Sequence, residues 1–257
     1  MALIALVFGA LTTAGCSSSG TGGAAAASTA PPGPATAAGT VPAAGPARTH
    51  GCLTEAQAAA GSLDLPAASG VRPAYFRQAD AGPARVAVVL SHQLRGSLCD
   101  WVPYLDAFTG AGYAVLASEV PDSPVGDLPT AVKWLETKGI ARVVLVGASK
   151  GGTGSLVVAA APGPLPVAAV VSLSGPARFG SDDAVAAVKS SRVPEFFAAE
   201  EDDAPFAADA RELYAAATAP VRQLKLYPGS GHGADLLKDG ALPDVLAFLA
   251  ANAPAGG

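Results

Sequence analysis

From about residue 70 onward the chain alternates short aliphatic runs with longer stretches of helical pattern, and no other feature of the sequence constrains its fold as strongly. The aliphatic runs are 85–92, 113–119, 142–149, 167–174, 193–199 and 221–228. Between and after them lie 101–111, 128–138, 150–161, 182–190, 206–218 and 241–252, which read as helices. Short Val- and Leu-rich strands separated by helices of about ten residues indicate βαβ units. Such units build a parallel sheet covered on both faces, wound by right-handed crossovers. The segment 70–78 is read as an added antiparallel edge strand. No internal repeat and no second domain is apparent. About 200 residues are enough for one α/β layer structure.

Composition narrows the function. Half of the 257 residues are hydrophobic and only 14% are charged, which excludes a wholly disordered chain. With 16 Lys and Arg against 21 Asp and Glu, the net charge is −5. That balance argues against nucleic acid as a partner, because phosphate binding needs a basic surface. The one long apolar run lies at the extreme N-terminus and is too short to span a bilayer, so a polytopic membrane protein is excluded. Three Cys and three His leave few possible members for a metal or nucleophilic site. No Cys/His grouping has tetrahedral ligand spacing, and no glycine-rich dinucleotide fingerprint follows the first strand. Neither a metal nor an organic cofactor is expected.

The first fifty residues read as an address and a tether. Residues 1–15 carry no charged side chain, with an apolar core from Leu3 to Leu11 followed by Thr12-Thr13-Ala14-Gly15-Cys16. An apolar stretch ending in small residues is the pattern of an export signal. A Cys directly after Ala-Gly resembles the bacterial lipoprotein box, which implies lipid on Cys16 and a place on the outer face of the cytoplasmic membrane; an ordinary secreted protein is the alternative. After Cys16, residues 17–50 are Ala, Gly, Ser, Thr and Pro apart from Val41, Arg48 and His50, with Arg48 as the only formal charge, so 16–50 read as a lipidated Cys and a flexible tether. The folded domain is then expected over 51–254. If Cys16 is lipidated, Cys52 and Cys99 remain, and in an oxidising compartment they are expected to form a disulfide.

In an open parallel sheet, functional groups gather at the carboxyl ends of the strands. The run ending at Val146 continues as Gly147-Ala148-Ser149-Lys150-Gly151-Gly152 and then into a helix. Gly-x-Ser-x-Gly between a strand and a helix is the pattern of a nucleophile elbow, with Ser149 as the nucleophile. A serine hydroxyl needs a base. His50 lies in the tether and His92 ends the first strong strand. His232 sits in Pro228-Gly229-Ser230-Gly231-His232-Gly233, a glycine loop after the last strand, and is expected to be the base. The strand 193–199 ends in Glu200-Glu201-Asp202-Asp203. Asp203, with Asp202 as the alternative, is expected to orient the imidazole. An oxyanion hole would take one backbone N–H from Lys150 and one from the loop Ser91 to Gly96, either Leu94 or Gln93. His92 is expected to brace that loop.

The segments VVLSHQLRGSLCDW, AGYAVLASE, VVLVGASKGG, VVSLSGPA, AAEEDDAPF and LYPGSGHGADLL occur in this order across about 84–252. Together they resemble the α/β-hydrolase superfamily, in particular serine hydrolases similar to dienelactone-hydrolase relatives. Ser149 stands where dienelactone hydrolases have Cys, and Gln93 where the Gly after the strand-end His is usual. The resemblance implies an α/β-hydrolase fold, a mostly parallel doubly wound sheet with helices on both faces. Fewer than about twenty residues separate the strands near 174 and 193, which leaves no room for a large cap domain. An open site follows, suited to a small-molecule or lipid-like ester. The expected reaction is ester hydrolysis through an acyl-enzyme. An envelope acyltransferase using the same site, or a non-catalytic binding lipoprotein, are the alternatives.

Overall fold

Eight strands form one sheet, in the spatial order Ser62–Ala67, Gly70–Arg77, Ala114–Ser118, Val86–Ser91, Arg142–Ala148, Val167–Leu173, Glu195–Glu200, Arg222–Tyr227. The computed structural model describes residues 48–67, 70–120 and 123–256. The strands are β1 (Ser62–Ala67), β2 (Gly70–Arg77), β3 (Val86–Ser91), β4 (Ala114–Ser118), β5 (Arg142–Ala148), β6 (Val167–Leu173), β9 (Glu195–Glu200) and β10 (Arg222–Tyr227). Two short strands, β7 (Arg178–Phe179) and β8 (Asp182–Asp183), pair only with each other. The helices are α1 (Glu55–Gly61), α2 (Leu105–Gly110), α3 (Pro124–Glu136), α4 (Lys150–Ala159), α5 (Ala184–Ser190), α6 (Phe206–Ala216) and α7 (Leu242–Asn252). A 3-10 helix over Leu98–Tyr104 precedes α2. From β4 to β10 every pairing is parallel, while β1 and β2 are antiparallel additions. This is the expected α/β-hydrolase arrangement.

The continuous aliphatic runs follow from burial on two faces. Within β3 all six residues are buried. Val88 and Leu90 join the core that includes Trp101, Phe108, Phe248 and Leu249. Val89, between them, joins the opposite core with Leu128, Leu145 and Leu156. Phe196 and Phe197 divide between the two cores in the same way. Side chains alternate across a strand, so a strand covered on both faces must be apolar throughout.

Two features differ from the sequence expectation. Strand β2 is antiparallel as expected, but it is not the edge, because β1 pairs outside it. Strand β1 contains Asp64 and Pro66, which dilute the strand signal and are tolerated because it lies at the edge. The folded unit also starts earlier than residue 51. The Ser62 hydroxyl donates to the Arg48 carbonyl at 2.7 Å, and Arg48 pairs with Asp64. All described residues fall within one compact unit, 44–257. Cys16 and residues 1–47 lie outside the described residues. Cys52 and Cys99 are joined by a disulfide. Between β6 and β9 there is only the β7–β8 pair and α5. Among the described residues no helix is long and apolar enough to cross a membrane.

Candidate active site

Ser149 occupies the turn from β5 into α4 with φ 50° and ψ −120°, a region that L side chains rarely adopt. The conformation is held by backbone bonds on both sides. Ser149 N–H donates to the Leu173 carbonyl at 2.8 Å, and the Ser149 carbonyl accepts from Gly152 and Thr153 at 2.8 and 3.1 Å. The flanking glycines are a steric requirement. A Cβ on Gly147 would overlap the Gly151 backbone, and a Cβ on Gly151 would overlap the Ser91 carbonyl. Helix α4 is thereby pressed against the end of β3, which brings the loop after Ser91 beside Lys150. Lys150 is the first residue of α4, at the positive end of the helix dipole.

His232 lies in the loop between β10 and α7. Its Nδ1 is 2.9 Å from Asp203 Oδ2 and 3.2 Å from Oδ1. Asp203 is 7% exposed, whereas Asp202 is exposed to solvent. Of the two acids, Asp203 is the one beside the imidazole. The next residue, Gly233, packs against the one before Ser149: a Cβ added to it would lie 3.2 Å from the Ala148 Cβ. The loop bearing the imidazole thus borders the elbow. The Phe206 ring stacks on the imidazole, with centroids 4.3 Å apart and planes at 50°. Phe206 was not singled out by sequence reasoning. It follows the acidic turn directly, but nothing in its spacing marks it as a partner of a histidine.

The loop after β3 is a tight turn in which Gly96 N–H donates to the Gln93 carbonyl at 3.0 Å. Leu94 and Arg95 are its central residues, Arg95 has φ 62°, and Leu94 is 56% exposed. Gln93 Oε1 accepts from the Ala234 N–H at 3.0 Å, tying this turn to the His232 loop. The side chain that departs from the usual glycine therefore joins two parts of the site. His92 is buried, with Nδ1 2.8 Å from the Gln93 carbonyl and Nε2 accepting from the Val120 N–H at 2.8 Å. Burial pushes its pKa down, so the ring is neutral, protonated on Nδ1, and serves as a brace. The Lys150 side chain, also buried, donates to the carbonyl of the same Val120. Among the described residues no three His, Cys, Asp or Glu side chains gather as a metal site would.

Comparisons with known proteins identify the family to which this arrangement belongs. The model of the Esterase family matches residues 127–255, half of the chain, a span that contains Ser149, Asp203 and His232. No curated protein matches the chain significantly. Among solved structures, an esterase of Pyrococcus furiosus is similar with a TM-score of 0.62 at 16% identity, covering 74% of this chain and 91% of its own. The esterase domain of a Rhodothermus marinus protein gives a TM-score of 0.61 at 17% identity, covering 74% of this chain and 98% of its own. A dienelactone hydrolase from Anabaena variabilis gives 0.60 at 20% identity, covering 74% of this chain and 94% of its own. At such identities these structures speak for the fold, and the family assignment rests on the matched half of the chain: the protein belongs to the esterase family, on an α/β-hydrolase fold.

Proposed function

We propose that the protein hydrolyses carboxylic esters through a Ser149–His232–Asp203 triad, as an exported enzyme held at a membrane by lipid on Cys16. Ser149 Oγ attacks the ester carbonyl and His232 accepts its proton. The tetrahedral oxyanion rests on the backbone N–H groups of Lys150 and Leu94. His232 then protonates the departing alcohol, and water repeats the sequence on the acyl-enzyme. Asp203 holds the proton on Nδ1 of the imidazole, which leaves Nε2 free to take one from Ser149.

The observation that carries this reading is the strained elbow at Ser149 bordered by an imidazole already paired with a buried carboxylate. The Gln93 N–H is the alternative donor to that of Leu94. The export reading draws support from the disulfide, a bond typical of oxidising compartments. Fluorophosphonate labelling together with p-nitrophenyl ester hydrolysis tests the chemistry. Wild type should label and turn over, and Ser149→Ala should do neither while remaining folded. Equal labelling of both proteins would overturn the assignment. For the anchor, Cys16→Ser should lose incorporated fatty acid and leave the membrane fraction.

A further inference from the structure

A second carboxyl group stands behind the pair formed by Asp203 and His232. Glu200, the last residue of β9, is only 2% exposed. It continues the side of the strand on which Phe196 and Ala198 join the core that also holds Ala234, Leu236 and Leu237. Its Oε2 accepts the Gly231 N–H at 2.5 Å, one residue before His232. Its carbonyl accepts the Asp203 N–H at 3.1 Å. One residue therefore holds the acid by its backbone and the base loop by its side chain. The same two segments are joined again where Glu201 N–H donates to the Tyr227 carbonyl and Asp202 N–H to that of Gly229, at 2.8 and 2.9 Å.

The glycines of the base loop fit around this carboxyl group. A Cβ on Gly229 would overlap Glu200 Oε2. A Cβ on Gly231 would stand 2.8 Å from Glu200 Oε1 and 2.9 Å from Asp239 Oδ2. Glu200 Oε1 itself has no hydrogen-bond partner among the described residues. An ionisable group buried at such a place, with one oxygen unpaired, is a costly way to fill space.

We infer that Glu200 is the positioning residue of the catalytic base: by reaching Gly231 it sets the distance between His232 and Ser149. This rests on the triad reading. The property at work is reach rather than charge. Gln can still accept from Gly231, and its amide nitrogen would take the place of the unpaired oxygen, facing Asp239. Asp keeps the charge but is one methylene too short.

The test is steady-state hydrolysis of a p-nitrophenyl ester by the full chain carrying Glu200→Asp, Glu200→Gln or His232→Ala, with thermal melting alongside. Glu200→Asp should lower kcat about 10²-fold with KM almost unchanged, the scale expected when a catalytic group is displaced by about an ångström. Glu200→Gln should restore most of that loss. Wild-type kcat in Glu200→Asp, or equal damage in Glu200→Gln, would overturn the inference. If the Glu200 variants fail to fold, Gly231→Ala decides, since its Cβ would crowd the same carboxyl group through Glu200 Oε1. A lowered kcat supports the positioning role and an unchanged one overturns it. An active His232→Ala would overturn the triad itself, whereas an inactive His232→Ala beside a fully active Glu200→Asp would overturn only the role of Glu200.

Discussion

His92 and Lys150 both hold the backbone of Val120: its N–H donates to His92 Nε2, and its carbonyl accepts from Lys150 Nζ. The turn after β3, the loop after β4 and the start of α4 are thereby fastened at a single residue. His92→Leu should destabilise the fold by about 1–3 kcal/mol, because it leaves the buried Val120 N–H unpaired. Since both side chains act on Val120, a double-mutant cycle with Lys150→Met should give a coupling of at least about 0.5 kcal/mol in chemical unfolding. Additive effects would mean that the two groups act independently.

Of the acids that follow β9, only Asp203 is both buried and against the imidazole. Asp203→Asn should lower kcat by about 10⁴-fold, because an amide there favours the wrong histidine tautomer. Asp202→Asn changes an exposed side chain and should leave kcat within about threefold of wild type. Ester hydrolysis by the two variants at equal concentration compares them directly.

At the opposite end of β9, burial raises the pKa of Glu195 from the ordinary 4.5 to about 7, only partly offset by Ser191 and Arg222. A carboxyl whose pKa is raised on folding stabilises the protein fully below pH 4.5, and that contribution is lost as pH climbs to about 7. At about 1.4 kcal/mol per pH unit across that window, the loss is about 3 kcal/mol. Urea unfolding at pH 5 and pH 8 should show wild type weaker at the higher pH by that order, with Glu195→Gln nearly insensitive to the change.

The bond between Cys52 and Cys99 closes a loop with a sequence separation of 47. Chain-entropy arguments give such a closure about 4 kcal/mol of stability. The Cys52→Ser/Cys99→Ser variant should unfold at correspondingly lower guanidinium concentration. A reductant should shift wild type toward that variant and leave the variant itself unmoved.

The strands were legible in the sequence where burial on both faces makes them continuous, as in Val86–Ser91 and Arg142–Ala148. Strand β1 was not, since an edge strand can carry Asp64 and Pro66 without cost to the core. Ser149 and His232 could be located because one pattern of glycines and a supply of three histidines leave few choices. Within Glu200-Glu201-Asp202-Asp203, the chain order expected of α/β-hydrolases pointed to an acid of this cluster. Which member turns toward the imidazole, and which reaches Gly231 instead, depends on the strand's last inward position and the turn after it. Phe206 and the Lys150 side chain act through contacts between distant segments, which no local pattern records.

The sulfur–sulfur bridge also determines how a load would travel through the molecule. A pull applied to the chain ahead of Arg48 would cross at Cys52 to residue 99 and pass by everything between them. The strands β1 to β3 and the turn holding Leu94 lie within that closed covalent ring. Tugging from the N-terminal side would therefore not draw them out, and half of the proposed oxyanion hole would stay mechanically isolated from whatever the leading segment is fastened to.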